Sequence, residues 1–280
     1  MNDESNPVRD HYQADALSED LVARVQRMLS ELGDGPLTHQ QLASFDQFHS
    51  GGLKATADFI AMLNIKPGMK VLDAGSGLGG PSRFTAQTYD CHVTGVDLTD
   101  SFVAVAQLLS QRTGMARQVD YQVGNLCGLT LADEQFDAAY TQHVVMNISD
   151  RETAYREVFR VLKPGSRFGF FDVLAVDDGL EPFYPVPWAE RSEQSFLLTE
   201  SETRAVLADS GFAIDHWSDV TNDIVQWIEN IRLPSMDMPQ AGPSLKLAMG
   251  DRFALMAENF ARSLRQGRAR LVMAVCVKQS

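Results

Sequence analysis

The stretch Lys70-Val71-Leu72-Asp73-Ala74-Gly75-Ser76-Gly77-Leu78-Gly79-Gly80 decides the fold of this chain. The apolar run at its start predicts a buried strand, and Ser82–Tyr89, just after the glycines, predicts a helix. A strand that ends at glycines and turns at once into a helix lets backbone N–H groups approach a ligand closely. The stretch therefore predicts a ligand site at the carboxyl end of the first strand.

Three of the glycines, Gly75, Gly77 and Gly80, match the G-x-G-x-x-G pattern of nucleotide-binding turns. Asp97 follows Gly77 by about 20 residues, which is the spacing of an acid that binds a ribose. A nucleotide-like ligand that contains a ribose is therefore expected.

The acidic residue Asp73 argues against a dinucleotide as this ligand. It stands shortly before the first glycine, where it would repel a diphosphate, and Arg83 is the basic residue closest to the loop in the sequence. No second nucleotide-binding half follows Asp97. A cofactor with a ribose, an adenine and a cationic amino-acid tail fits an acidic loop better, since an ammonium needs a carboxylate or carbonyls. An NAD-dependent oxidoreductase is thus the weakest hypothesis.

The composition of the chain limits the class of protein. With 280 residues, it can form one large α/β domain or a domain with a substantial cap. The formal net charge of −13 argues against nucleic acid as a partner, since phosphate binding needs a basic face. No apolar run approaches the roughly 20 residues that span a bilayer, and the polar, acidic N-terminus lacks the features of a signal peptide. No metal-ligand spacing is visible. We therefore expect a cytoplasmic protein without a membrane, nucleic-acid or metal partner, and a homodimer is compatible with the sequence.

Predicted strands and helices alternate from Lys70 onward. This alternation indicates right-handed βαβ units in a doubly wound, mostly parallel sheet with helices on both faces. Lys163-Pro164-Gly165 predicts the end of a helix before the fifth strand, and Pro243–Arg265 predicts one long helix. The seven predicted strands are Lys70–Asp73, His92–Val96, Val119–Val123, Phe136–Thr141, Arg167–Val173, Phe212–Val220 and Arg270–Val277.

The segments outside this alternation predict a cap and two lids. Residues 1–65 predict an N-terminal helical cap, and residues 66–280 predict the main domain. Insertions near 177–198 and 221–266 are expected to act as lids.

Parts of these insertions are rich in aromatic residues and methionine. The Phe183–Trp188 stretch and the Met236–Met238 loop either cover an acceptor pocket or pack a cap on the sheet. The sequence does not separate these two roles.

Five motifs, in order along the chain, resemble those of class I S-adenosylmethionine-dependent methyltransferases. Phe45–Gly52 and the Gln142-His143 pair resemble the small-molecule branch, which includes the sarcosine/dimethylglycine N-methyltransferases and related natural-product and quinone methyltransferases. The resemblance covers about residues 50–220. It implies a Rossmann-like fold, S-adenosyl-L-methionine as cofactor, and transfer of a methyl group to N, O or C of a small-molecule acceptor. The five motifs are Val71–Gly80, Val93–Thr99, Gly124–Leu126, Phe136–Tyr140 and Arg160–Gly165.

The resemblance also implies which residues bind the cofactor. Asp97 would accept hydrogen bonds from both ribose hydroxyls, and Asn125 stands where the family usually has an aspartate that faces the adenine amine. The ring of Tyr12, in an N-terminal His-Tyr pair, would cover the cofactor. With the acidic Asp73, the expected set is Tyr12, Asp73, Gly75, Gly77, Asp97, Leu98, Asn125, Leu126, Gln142 and His143.

Methyl transfer to a phenol or an ammonium also requires removal of a proton. The candidate bases are His143 after the fourth strand, Asp172 in the apolar fifth strand, and His49 near the N-terminal helices. Burial of Asp172 among apolar residues is costly without a partner, which favours a function. Each histidine has a plainer alternative: His143 forms a wall of the cofactor pocket, and His49 caps or packs a helix.

A second enzyme class shares the expected fold. A cyclase that uses the cofactor only structurally would keep the same motifs. It is the alternative to methyl transfer, and the sequence barely separates the two.

Overall fold

The computed structural model describes residues 21–230 and 245–279. Within these residues, no helix combines the length and the apolar character needed to cross a membrane. The helices are α1 (Leu21–Glu31), α2 (His39–Asp46), α3 (Gly52–Ala61), α4 (Gly80–Tyr89), α5 (Asp100–Arg112), α6 (Arg151–Val161), α7 (Glu200–Asp209), α8 (Thr221–Asn230), α9 (Lys246–Met249) and α10 (Phe253–Arg265). The strands are β1 (Lys70–Ala74), β2 (His92–Asp97), β3 (Val119–Val123), β4 (Phe136–Gln142), β5 (Leu162–Leu174), β6 (Phe212–Asp219) and β7 (Arg270–Lys278).

The strands form a seven-stranded sheet in the order β3-β2-β1-β4-β5-β7-β6. Strand β7 is antiparallel to its neighbours β5 and β6, and the other pairs are parallel. Strand β1 pairs with both β2 and β4, so the winding of the chain reverses there. Open α/β sheets bind ligands beyond the carboxyl ends of the strands at such a point. The predicted Rossmann-like, mostly parallel fold is confirmed.

Two apolar clusters join helices to the sheet, and a third joins helices to one another. Val71 and Leu72 are neighbours in β1 but belong to different clusters, because successive side chains of a strand point to opposite faces. The third cluster joins α1 and α2 to α5, and it includes Phe45 of α2, Phe102 of α5 and Leu78 of the glycine loop. The first N-terminal helices therefore pack directly on the loop that opens the site.

The start of β5 differs from its prediction. The strand begins at Leu162 instead of Arg167, because Leu162 is buried and already pairs with Phe136 of β4. The register then shifts, and Gly165 has φ +74° within this irregular part. The Pro164-Gly165 pair therefore lies inside the strand at an irregularity and does not separate helix from strand.

The predicted single helix Pro243–Arg265 is also wrong. In the described part, helix α9 ends at Met249 and α10 begins at Phe253. Gly250 between them has φ +75° and ψ −170°, a conformation that only glycine adopts readily. The helical periodicity on both sides of Gly250 concealed this break.

Arg83 of α4 ties together the segments around the glycine loop. Its Nη2 donates to Asp46 Oδ2 at 2.8 Å and to the carbonyl oxygen of Leu78 at 2.8 Å. Its Nη1 donates to the carbonyl oxygen of Ala106 in α5 at 3.2 Å. The side chains of Arg83 and Asp46 are 1% and 0% exposed. One guanidinium thus fixes α2, the glycine loop and α5 relative to α4.

We expect Arg83→Met to lower the free energy of unfolding at pH 7 by about 3–5 kcal/mol, since it leaves the Asp46 carboxylate buried and unpaired. Urea unfolding followed by circular dichroism measures the change. The matched control is Lys54→Met, which removes the exposed pair with Asp58 and should leave stability unchanged. Equal stability of the two variants would contradict the role given to Arg83.

Candidate functional site

A cavity of about 320 Å³ opens beyond the carboxyl ends of β1, β2 and β4. Its volume lies at the lower end of the range for small-molecule sites. Tyr12 lies outside the described residues, and Asp172 does not line the cavity. The sequence-predicted residues that do line it are His49, Asp73, Gly75, Gly77, Asp97, Leu98, Asn125, Leu126, Gln142 and His143.

The glycines of the loop are required for two different reasons. Gly75 has φ +88°, and a Cβ on it would lie 2.3 Å from Cγ2 of Val144. Gly79 has φ +74°, and a Cβ on it would meet the hydroxyl of Tyr121 at 2.2 Å. Gly77 has φ +51°, but the nearest atom to its Cβ position is Cδ1 of Phe48 at 3.9 Å. Packing excludes a side chain at the first two positions, whereas at Gly77 the backbone conformation alone favours glycine.

Asp97 connects the end of β2 to the glycine loop. Its Oδ2 accepts from the backbone N–H of Gly77 at 2.8 Å, and its Oδ1 accepts from that of Thr99 at 2.9 Å. Burial raises the pKa of Asp97, and these two backbone donors oppose the rise. The carboxylate is therefore held in place while it lines the cavity.

Asp73 is held at the cavity by side chains from α4 and β4. Its Oδ2 accepts from Ser82 Oγ at 2.5 Å and from the hydroxyl of Tyr140 at 3.0 Å. Burial raises its pKa to about 7, although both hydrogen bonds favour the ionised form. A cation placed against Asp73 would favour ionisation, so the site suits a positively charged group.

Asn125 uses its side-chain oxygen within its own loop. Oδ1 accepts from the backbone N–H of Cys127 at 2.9 Å. A carbonyl oxygen has a second lone pair, so this contact still leaves acceptor capacity toward the cavity.

His49 and His143 face each other across the wall of the cavity, with ring centroids 6.0 Å apart. His143 follows β4 with φ +54° and packs edge-on against Phe171 at 4.8 Å. Burial lowers the pKa of His49 to about 4 and that of His143 well below its usual value, and His49 contributes to the latter shift. Both imidazoles are therefore neutral at pH 7.

The two histidines differ in their hydrogen bonds. His49 Nδ1 lies 3.0 Å from the carbonyl oxygen of Ser50, and its Nε2 lies 2.8 Å from Thr56 Oγ1. Nε2 of His143 is buried without a hydrogen-bond partner. His143 thus has a free ring nitrogen, whereas both nitrogens of His49 are engaged.

Several polar atoms at the cavity, Nε2 of His143 among them, are buried without a hydrogen-bond partner. Leaving a buried donor or acceptor unsatisfied costs about 1–3 kcal/mol, so such atoms indicate a ligand. Sequence reasoning missed Asp46 and Ser76, whose signals were their places in the Phe45–Gly52 and glycine-loop motifs. The unpartnered atoms on lining residues are Asp46 Oδ1, Ser76 Oγ, Gln142 Oε1, Gln142 Nε2 and His143 Nε2.

Asp172 is placed to support the site from behind. It is fully buried, and its Oδ2 accepts from the backbone N–H groups of Val144 at 3.2 Å and Val145 at 2.8 Å. Its Oδ1 accepts from the N–H of Val173 at 2.8 Å. The prediction of Asp172 as a base is not supported by this geometry, because the carboxylate is occupied by the turn that follows His143.

The Phe183–Trp188 stretch packs a cap on the body of the protein instead of covering the cavity. Trp188 is 2% exposed, stacks edge-on against Phe260 of α10 at 5.1 Å, and donates to Ser195 Oγ. From this part of the chain, Phe196 lines the cavity. The Met236–Met238 loop lies outside the described residues. Within the described ranges, no group of three or more metal-ligating side chains is present.

Comparison with known families identifies the fold that carries this site. Residues 72–170 match the family model described as a methyltransferase domain. This part of the chain is similar to methyltransferase domains. The predicted resemblance to class I methyltransferases is confirmed.

Two curated relatives, both methyltransferases by name, match part of this chain. A phosphoethanolamine N-methyltransferase of Triticum aestivum is 34% identical over 133 residues, which cover 48% of this chain and 26% of the relative. The sterol 24-C-methyltransferase erg-4 of Neurospora crassa is 32% identical over 179 residues, which cover 60% of this chain and 46% of the relative. The chain thus spans about a quarter to a half of the length of these relatives.

A solved structure extends the similarity in fold over nearly the whole chain. The structure of a geranyl diphosphate methyltransferase in complex with GPP and sinefungin has a TM-score of 0.69 and 18% identity. The match covers 97% of this chain and 99% of that chain. It establishes the fold.

The pKa of Asp172 leads to a prediction about stability. Burial raises this pKa to about 6, so between pH 4 and 6 the folded state binds more protons than the unfolded state. The contribution of Asp172 to the free energy of unfolding is fully present below pH 4 and is lost as the pH rises through 6. We expect Asp172→Asn to remove this loss and to make the slope of unfolding free energy against pH less negative, by up to about 1.4 kcal/mol per pH unit.

Urea unfolding at half-unit steps from pH 4 to 7.5 measures this slope. Asp209→Asn, at an exposed carboxylate of α7, is the control and should leave the slope unchanged. A slope that is the same in Asp172→Asn and the wild type would show that Asp172 does not titrate as a buried group.

Proposed function

We propose that this protein transfers a methyl group from S-adenosyl-L-methionine to a small-molecule acceptor. The observation that carries the proposal is the charge of the cavity. Four carboxylates line it, and no lysine or arginine does so among the described residues. A cationic cofactor is complementary to this lining, whereas the diphosphate of NAD would be repelled. The four residues are Asp46, Asp73, Asp97 and Asp150.

The unpartnered polar atoms of the cavity also fit this cofactor. Asp73, with Asp46 Oδ1 and Ser76 Oγ nearby in the lining, would bind the amino-acid end, where an ammonium supplies the missing donors. Asp97 would accept from the ribose hydroxyls. The implied adenine contacts are Leu98, Asn125 and Leu126, and Gly75 and Gly77 would bring backbone N–H groups to the amino-acid end.

The mechanism assigned to the chain is positioning together with proton removal. The cofactor supplies a methyl group bonded to a positive sulfonium. The walls of the cavity would hold the acceptor atom about 3 Å from that methyl and exclude water. Asp172 would act as a positioning residue, since it fixes the turn that carries His143.

Where the molecule to be methylated must lose a proton, His143 is the proposed base. Its ring is neutral, and its Nε2 has no protein partner. His49 is less suited, because both of its nitrogens lie within hydrogen-bond distance of protein groups. A base with a lowered pKa takes a proton most readily once methylation has made the acceptor more acidic.

Methyl transfer is favoured over the cyclase alternative by the sequence relatives, both of which are named methyltransferases. A protein that used the cofactor only structurally would release no S-adenosylhomocysteine. Release of this product with a panel of small acceptors therefore separates the two functions.

We further propose that the protein works in the cytoplasm and does not act on nucleic acid. The three cysteines Cys91, Cys127 and Cys276 are free, which fits a reducing compartment. The net charge of −13 disfavours binding to a phosphate backbone.

Isothermal titration calorimetry with S-adenosyl-L-methionine tests the cofactor site. We expect the wild type to bind and Asp97→Asn to bind about tenfold to a hundredfold more weakly, because hydrogen bonds to a charged group contribute about 1.5–3 kcal/mol. Asp177→Asn, at an exposed carboxylate, should bind like the wild type. Equal affinity of the wild type and Asp97→Asn would overturn the assignment of the ribose site.

Steady-state kinetics with any acceptor of the panel that loses a proton tests the base. We expect His143→Gln to lower kcat about a hundredfold or more, as for loss of a general base. The wild-type rate should stay level from pH 7 to 9, because His143 is already deprotonated. His216→Gln, at an exposed histidine of β6, serves as control. A larger loss in His49→Gln than in His143→Gln would transfer the role to His49.

A further inference from the structure

The cavity has a distinct wall on the side of the two histidines. We call Phe48, His49, Gln142, His143, Val144 and Phe196 the acceptor wall. Its members come from the segment before α3, from the last residue of β4 and the turn that follows it, and from the segment before α7. The backbone N–H of Phe196 donates to the carbonyl oxygen of Met146 at 3.0 Å, which holds this last segment against the turn.

Positive charge is missing from the acceptor wall. Two buried guanidiniums lie near the cavity, but neither lines it. Arg83 donates to Asp46 and to backbone carbonyls. Arg151 donates to the carbonyl oxygen of Phe196 at 2.8 Å and faces the charge of Asp172, while its Nε and Nη1 are buried without a hydrogen-bond partner. Neither guanidinium lines the cavity in which an anionic acceptor would lie.

The histidines do not supply this charge either. Burial lowers the pKa of both, so both rings are neutral at pH 7. Beside them, the wall is formed by apolar side chains, Phe48, Val144 and Phe196. An anion placed there would leave water without a counterion, which is strongly unfavourable.

The chain segments outside the described residues are not basic in composition. By sequence, residues 1–20 contain six carboxylates and one arginine, and residues 231–244 contain one of each. They add no net positive charge.

Two members of the acceptor wall, Gln142 and His143, have polar atoms without a hydrogen-bond partner. Gln142 is 7% exposed, and both its Oε1 and its Nε2 are buried without a hydrogen bond. Apolar pockets with a few convergent polar groups are typical of sites for uncharged small molecules, in which the polar groups set orientation. Gln142 offers one donor site and one acceptor site for this purpose.

We infer that the acceptor is an uncharged, mainly apolar molecule with a hydrogen-bonding group that Gln142 orients, and that phosphorylated acceptors are excluded. The inference rests on the proposed function, because it concerns the acceptor side of the same cavity. Exclusion follows from the carboxylates of Asp73, Asp97 and Asp150, because no lysine or arginine among the described residues lines the cavity to offset them.

Binding to the protein loaded with S-adenosylhomocysteine tests this inference. The probes are 2-naphthol and 2-naphthyl phosphate, which share a ring system and differ in charge. We expect 2-naphthol to bind at least about tenfold more tightly at pH 7. Raising the salt concentration should strengthen the weak binding of the phosphate, since salt screens its repulsion by the carboxylates, and should leave 2-naphthol unaffected. Gln142→Leu should weaken 2-naphthol binding by a larger factor than it weakens binding of S-adenosylhomocysteine.

Each of the following results would overturn one part of the inference about the acceptor. Equal or tighter binding of the phosphate, or phosphate binding that weakens with salt, would reveal a cationic contact and overturn the exclusion of anions. Lack of 2-naphthol binding at millimolar concentration would overturn the apolar class. Unchanged 2-naphthol affinity in Gln142→Leu would remove its orienting role. Lack of S-adenosylhomocysteine binding would overturn the proposed function, and the inference about the acceptor would then lose its basis.

Discussion

The arrangement of the site depends on the buried ion pair between Arg83 and Asp46. The rigid guanidinium can satisfy a carboxylate and several carbonyls at once, which an ammonium on a flexible stem does less well. It therefore joins a helix from the N-terminal segment to the loop that follows the first strand. Glycine residues give this loop its shape but no stiffness of their own. The ion pair supplies the stiffness, and the cavity lies directly beside it.

A second constraint is the burial of ionisable groups at the cavity and directly behind it. Burial raises the pKa of Asp73 to about 7 and that of Asp172 to about 6, while it lowers that of both histidines. Desolvation thus has opposite effects on the pKa values of Asp73, at one end of the cavity, and of the two histidines, at the other. One end gains from an incoming cation, and the other holds neutral imidazoles against apolar side chains. A positive methyl donor and an uncharged acceptor fit these two ends.

Local patterns in the sequence predicted the first strand, the glycine loop and Asp97, because each depends on neighbours along the chain. The role of Asp172 could not be predicted in this way. Its partners are backbone N–H groups of Val144 and Val145, which reach it only when β5 pairs beside β4. The sequence of an apolar strand with one aspartate is the same whether the aspartate contacts a substrate or backbone N–H groups of a turn.

The same limit applies to the elements and site residues that were misjudged or missed. Leu162 starts β5 early because Phe136 pairs with it, and Trp188 is buried because α10 covers it, and both facts are tertiary. Asp46 was overlooked because its importance lies in an unpartnered oxygen and not in any spacing. Buried polar atoms without partners become visible only when all side chains are placed.

The contact between Gly75 and Val144 has a consequence for the redesign of this protein. A Cβ at residue 75 would lie 2.3 Å from the side chain of Val144, so the glycine loop and the turn after β4 interlock at this point. Residue 144 cannot be changed independently of the loop, because a larger side chain there would press on Gly75. Libraries that vary residues 75 and 144 together would explore combinations that one-at-a-time substitution never reaches.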